Sequence, residues 1–221
     1  MSNTSLPVAE YIDRYPYDPE CHWDAEDLIM SHLSLPVLQI HWCASNKEET
    51  EEDVRPTNHW MIFLQTGPNS SVRLNIRSGE SSQYPGLLEV CSTRYAFTQN
   101  CCFRVSAATV PGLTVEHVFS LIIRNGRDRY KFTDNHEGCR HWVNVIASDL
   151  SGASWVESEV AQRVSQAVVF YFPPAHRVHG AQAPVYRPLE VGTFFWYALC
   201  SCFDFGKEIL ILGADPNRMK P

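Results

Sequence analysis

The sequence predicts an α+β fold, an antiparallel sheet with packed helices. Apolar and alternating β-like runs crowd the first half of the 221-residue chain, and helical patterns follow. Two of those runs, His59 to Gln65 and Val72 to Ile76, flank Gly67-Pro68-Asn69-Ser70, a linker short enough for a hairpin. Hydrophobic residues make up 44% of the chain and aromatics 12%, enough for a sizeable core.

Taken in order, residues 1–36 read as an N-terminal arm. Its first 30 residues are polar and aromatic, with Tyr11, Tyr15, Pro16, Tyr17 and Pro19, and a helical turn is expected near Ala25 to His32. Residues 37–191 read as the α+β core domain, opened by a strand from Val37 to Cys43. Asn46 to Asp53 holds five Glu/Asp residues and one Lys, a solvated loop. His59 to Gln65 is the second strand. Val72 to Ile76 alternates as Val-Arg-Leu-Asn-Ile and is the third. Leu87 to Ser92 and Cys102 to Val105 are further strands. Thr114 caps a helix with Val115, Val118, Phe119 and Ile122 on its apolar face, ended by Asn125-Gly126. Arg127 to Phe132 is a charged connector or short strand. Cys139 to Leu150 forms the second helix, and Trp155 to Tyr171 the third, stopped by Pro173-Pro174. Pro174 to Pro188 is a loop. Residues 192–221 form a tail, apolar to about Cys202.

Composition excludes several functions. A net charge of −7 argues against general nucleic-acid binding, which needs clustered Lys and Arg. The first residues lack a basic start and an apolar segment, so no secretory signal is expected. No apolar run is long enough for a membrane span, and the chain reads as cytoplasmic. The eight cysteines form no CxxC pair, so most are expected to be reduced, buried thiols. Cys21-His22 with Asp24, His41 with Cys43, and Cys200 with Cys202 lack the paired spacing of a zinc site. No metal and no cofactor is expected; Walker, dinucleotide and GxSxG motifs are absent.

The run Gly138-Cys139-Arg140-His141-Trp142-Val143 puts a thiol in the first turn of a helix. The helix dipole and unpaired N–H groups there favour thiolate. His59 heads a strand far upstream. A cysteine at a helix start and a histidine on a strand are the parts of a thiol enzyme. The competing interpretation makes Cys139 a small apolar residue of a buried helix face. His136, in an Asp-Asn-His-Glu loop, is an alternative base. Arg127, Asp128, Arg129 and Tyr130 form a polar cluster just before the helix. It is either a connector with internal ion pairs or a recognition patch for a substrate carboxylate or phosphate.

This order and motif resemble the circularly permuted papain-like thiol enzymes, the group of lecithin–retinol acyltransferase and the PPPDE deconjugating peptidases. Their nucleophile motif is of the type Asn-Cys-Glu-His-Phe-Val. Cys139, His141 and Val143 match, Trp142 keeps an aromatic, and Gly138 and Arg140 depart from it. The resemblance covers about residues 55–150. The chain as a whole also resembles an uncharacterised fungal family sharing Asn58-His59-Trp60, Val72-Arg73-Leu74-Asn75, Gly126-Arg127-Asp128-Arg129-Tyr130 and Cys139-Arg140-His141-Trp142.

The first resemblance implies a permuted papain-like fold, Cys139 as nucleophile and His59 as base. The orienting polar group of such enzymes lies on the strand after the histidine, where Asn75 falls; Arg73 shares its face. The acyltransferases carry a second histidine there, and this chain has none. The implied activity is that of a thiol hydrolase or acyltransferase on a small-molecule or peptide amide or ester. Arg73, Arg127, Arg129, Tyr130 and His141 are the candidates for substrate binding. The alternative is a non-catalytic ligand- or protein-binding member of the same fold. The oligomeric state is left open.

Overall fold

The computed structural model describes residues 7–14, 21–46, 56–79, 84–173 and 183–195. The acidic run from 47 to 53, Tyr15 to Pro19, residues 174–182 of the expected loop, the tail from 196 and the Cys200–Cys202 pair lie outside the described residues.

The chain is a mixed α+β protein built on a six-stranded, mostly antiparallel sheet. Its strands are β1 (Trp23–Asp24), β2 (Gln39–Asn46), β3 (Asn58–Gly67), β4 (Ser70–Arg77), β5 (Leu87–Thr93) and β6 (Cys101–Ala108), in spatial order β1-β5-β4-β3-β2-β6. Among the described residues, only the β1–β5 pair is parallel. The expected hairpin forms, with Pro68-Asn69 as its turn, Gly67 opposite Ser70, and a register shift between Gln65 and Gly67. The hairpin places Leu64 opposite Val72 and Ile62 opposite Leu74. All four are fully buried on one sheet face with Trp42 and Trp60.

Helices α1 (Val8–Ile12), α2 (Val115–Arg124), α3 (Cys139–Gly152) and α4 (Glu159–Ala167) complete the main elements. Helix α2 is capped as the sequence predicts, with an addition. Thr114 Oγ1 accepts from the His117 backbone N–H at 3.3 Å, and His117 Nδ1 accepts from the Thr114 N–H at 3.1 Å, so a histidine closes the capping box. Val118, Phe119 and Ile122 of α2 join Trp142, Val143, Ile146 and Leu150 of α3 in the core. Burying such a side chain contributes about 1.5–3 kcal/mol. The opposite sheet face carries a small second cluster of Cys43, Met61 and Phe63 with Phe97 and Cys101.

Two elements differ from the sequence prediction. The expected helix from Trp155 to Tyr171 is shorter at both ends. Trp155 belongs to the α3–α4 connection, where its N–H reaches Leu150 O and its carbonyl receives Val110 N–H. Phe170–Tyr171 instead forms strand β8, paired with β9 (Val185–Tyr186). Pairing of a β-branched and aromatic run outweighs a helical pattern there. The arm is also more ordered than expected: β1 joins the sheet and a 3₁₀ turn covers Met30–Ser34. Ile12 and Trp23 are fully buried, and Tyr11 Oη and Trp23 Nε1 each donate to Asp128 Oδ2 at 2.9 Å. At the other end, β10 (Thr193–Phe194) pairs with β7 (Tyr130–Lys131), so the first tail residues are part of the core. Among the described residues, no helix is long and apolar enough to cross a membrane.

His41 carries a pH signature. Its Nδ1 meets Ser106 Oγ at 2.8 Å and its Nε2 meets Gln65 Oε1 at 2.9 Å, which suits the neutral ring. Burial holds its pKa below 6.5, and Arg104 adds to the effect. The unfolded chain therefore binds the proton first. Stability is full above about pH 6.5 and is lost as pH falls toward the folded value. Urea unfolding midpoints should fall between about pH 7.5 and pH 5.5, and His41→Gln should flatten that slope.

Candidate active site

His59 is the second residue of β3, and Asn75 lies near the end of β4, one strand over. The hairpin between them brings His59 Nε2 to 2.5 Å from Asn75 Oδ1. An amide oxygen accepts, so Nε2 carries the proton and Nδ1 is left with the lone pair. Cys139 is the first residue of α3, reached by folding a later segment back onto β3 and β4. His59, Asn75 and Cys139 line one cavity of about 340 Å³. Ile76 and Phe132 supply its apolar walls; Arg77, Ser78 and His136 supply further polar groups.

The turn before the helix is shaped for close approach. Gly138 has φ +155°, and a Cβ there would lie 2.8 Å from the Tyr130 hydroxyl. His136 sits at φ +55° in the preceding turn, where its N–H bonds Thr133 O at 2.9 Å. The histidine considered as an alternative base therefore shares the cavity with His59, but it has no Asn75-type partner among its hydrogen bonds. Arg77 was not among the sequence candidates. The alternation of Val72 to Ile76 extends to it, putting it on the face of Arg73 and Asn75. Arg77 pairs with Glu89 at 2.9 Å and with Asp24 at 3.2 Å, while Arg73 pairs with Glu89.

The five residues expected to bind substrate lie outside the cavity walls, in contacts that fasten the surroundings. Arg73 is committed to Glu89. Arg127 grips Asp149 with Nε at 2.7 Å and a second nitrogen at 3.2 Å, and lies over the Phe194 ring. Arg129 donates to Tyr11 Oη at 3.4 Å. Tyr130 is fully buried and donates to Gly138 O at 2.9 Å. His141 Nδ1 is 3.2 Å from the Tyr130 hydroxyl, and burial followed by the charge of Arg127 lowers its pKa. The contacts shown for the polar cluster before the helix run outward, from Arg127 to Asp149 and from Asp128 and Arg129 to the N-terminal arm.

Arg140, which stands where the resembling motif has Glu, is a buried strut. It donates to Val168 O, Arg187 O and Pro188 O at 2.8–3.0 Å, and pairs with Glu137 at 3.1 Å. Glu137 also holds Arg187 at 2.7 Å.

Residues 40–195 match the model of a family described as a domain of unknown function, DUF7770. The chain belongs to this family. The DUF7770 match begins in β2 and ends just past β10, so it contains His59, Asn75, Tyr130, Cys139 and Gly192 together. No curated protein and no solved structure matches the chain.

Within this DUF7770 domain, Cys43 and Cys91 are buried thiols, and Cys101 and Cys102 are half-buried ones. Burial, then Cys101, pushes Cys102 up to about 11, and burial raises Cys91. Cys43 is raised and Cys101 lowered by the hydrogen bond between them. Among the described residues, no group of three or more His, Cys, Asp or Glu converges as a metal-binding set.

Removing the Arg140 guanidinium leaves Glu137 and three carbonyls without it. Arg140→Met should lower the unfolding free energy by about 3–5 kcal/mol. Arg163→Met, at a side chain 47% exposed, should change it by less than about 0.5 kcal/mol. Chemical denaturation of the two variants checks this.

Proposed function

We propose that this protein is a thiol hydrolase or acyltransferase of permuted papain-like fold, acting on a small amide or ester. Cys139 is the nucleophile, His59 the base and Asn75 the group that orients the base. The observation that carries the reading is the 2.5 Å His59–Asn75 hydrogen bond on a cavity that Cys139 also lines. It leaves Nδ1 as the basic nitrogen in the arrangement that a Cys-His-Asn triad uses.

In the reaction, His59 Nδ1 takes the Cys139 thiol proton. Sγ bonds to the substrate carbonyl carbon, and the carbonyl electron pair moves to oxygen. The backbone N–H of Cys139, in the first helical turn where amides lack intrahelical partners, receives that oxyanion with one further donor. The intermediate collapses, the C–N or C–O bond breaks, and the leaving group takes the proton from His59. Water, or an amine or alcohol acceptor, then attacks the thioester with His59 again as base; the C–S bond breaks, and Cys139 leaves as thiolate and recovers the proton from His59. A cavity of about 340 Å³ is at the small end for ligand sites, which supports a small substrate.

One observation favours a different reading, a ligand-binding protein of the same fold: Cys139 is only 9% exposed. The two readings separate on labelling by iodoacetamide, followed at each cysteine by mass spectrometry across pH. In the enzyme, Cys139 reacts fastest in the native protein and His59→Ala removes that advantage. Inertness of native Cys139, or indifference to His59, favours the binding protein. Asn75→Ala should slow Cys139 acylation by an activated ester by about tenfold or more while leaving the fold intact, since it frees the ring to take the wrong tautomer.

A further inference from the structure

The carbonyl oxygen of Gly138 receives two hydrogen bonds, from the Tyr130 hydroxyl at 2.9 Å and from the Trp142 backbone N–H at 3.0 Å. That carbonyl and the Cys139 N–H belong to one peptide unit. In a trans peptide the two bonds lie in one rigid plane and point in opposite directions. Holding the oxygen therefore sets the direction of the Cys139 N–H. Trp142 supplies the ordinary helical bond; the Tyr130 bond is additional and comes from outside the helix.

The Tyr130 hydroxyl is itself held. Gly192 N–H donates to it at 3.1 Å, and His141 Nδ1 lies 3.2 Å away. A phenol has one proton and two lone pairs. With the proton committed to Gly138 O, both lone pairs are free to accept, one from Gly192 and one from a protonated Nδ1 of neutral His141. Burial, above all, keeps the hydroxyl protonated and a donor, outweighing the Gly192 bond, which acts the other way; a thiolate at Cys139 would act in the same sense as burial. The hydroxyl also fills the space beside two glycines. A Cβ at Gly138 would lie 2.8 Å from it, and one at Gly192 closer still. Residues 193–194 pair with β7, which seats Gly192 at this point.

We propose that Tyr130, held by the Gly192 amide from the C-terminal segment, is the positioning residue of the oxyanion hole. It locks the Gly138–Cys139 peptide so that the Cys139 N–H is already aimed when negative charge develops on the substrate oxygen. The proposal rests on Cys139 being the nucleophile. It gives the C-terminal segment a role in the site without lining it: preorganisation of a donor.

The test compares two reactions at the same sulfur in the full-length protein. p-Nitrophenyl acetate acylates Cys139 through an oxyanion; iodoacetamide alkylates it at a saturated carbon without one. Both rates are read at Cys139 by mass spectrometry in wild type, Tyr130→Phe, Gly192→Ala and His59→Ala. The expected result is that Tyr130→Phe lowers the acylation-to-alkylation ratio by about tenfold, less than the roughly hundred- to thousandfold of losing an oxyanion donor outright. Gly192→Ala, which displaces the hydroxyl, shifts the ratio the same way. His59→Ala lowers both rates. An unchanged ratio in folded Tyr130→Phe, or in Gly192→Ala should Tyr130→Phe not fold, overturns the positioning role and leaves the thiol-enzyme reading standing. Loss of folding in both variants overturns it too, since the hydroxyl then serves the fold. Wild-type Cys139 that neither acylates nor alkylates faster than the denatured thiol instead overturns the reading on which the proposal rests.

Discussion

The packing of α3 on β3 and β4 is the interaction on which the rest depends. Trp142, Val143, Ile146 and Leu150 are buried in the same core as Trp60, Ile62 and Leu74. At about 1.5–3 kcal/mol for each large apolar side chain, that contact outweighs any single polar bond nearby. It is also what brings the first residue of the helix to a cavity shared with β3 and β4. A thiol on one side of the contact and an imidazole on the other become neighbours because an apolar face had to be covered.

Buried polar groups then tie the flanking segments to that contact. Asp128 receives Tyr11 and Trp23 from the N-terminal arm. Arg140 reaches the carbonyls of Val168, Arg187 and Pro188. Tyr130 gathers Gly138 and Gly192. Such groups are costly to bury without partners, and each finds at least one partner distant in sequence. The result is a helix start held in place by segments from both ends of the described chain. That anchoring agrees with the low exposure of Cys139.

The charged run before the helix is engaged with neighbouring segments. Arg127, Asp128, Arg129 and Tyr130 have the residue types of an anion-recognition patch. Arg127 faces Asp149, Asp128 faces the arm, Arg129 faces Tyr11, and Tyr130 is inside. A guanidinium with a bidentate carboxylate partner is already neutralised. The cavity takes its arginine from β4 instead, where Arg77 follows Arg73 and Asn75 in strict alternation.

Much of the fold was legible locally. Period-two alternation in Val72 to Ile76, the short Gly67–Ser70 linker and the Thr114 cap depend on residues close together in sequence, and the hairpin and α2 form where those signals lie. The placement of His59, Asn75 and Cys139 on a strand, the next strand and a helix start was legible for the same reason. The length of α4 was not, because the pairing of Phe170–Tyr171 with Val185–Tyr186 is a contact the helical period does not contain. Nor was the ordering of the arm, which depends on Asp128 more than a hundred residues later. By itself, then, the sequence determined the long strands, the capped helix α2 and the chemical groups they carry, since these follow from local periodicity and capping. Only the tertiary structure decided which groups share a cavity and which are consumed as struts, since burial and hydrogen bonding across long sequence separations select among residues that look alike in the chain.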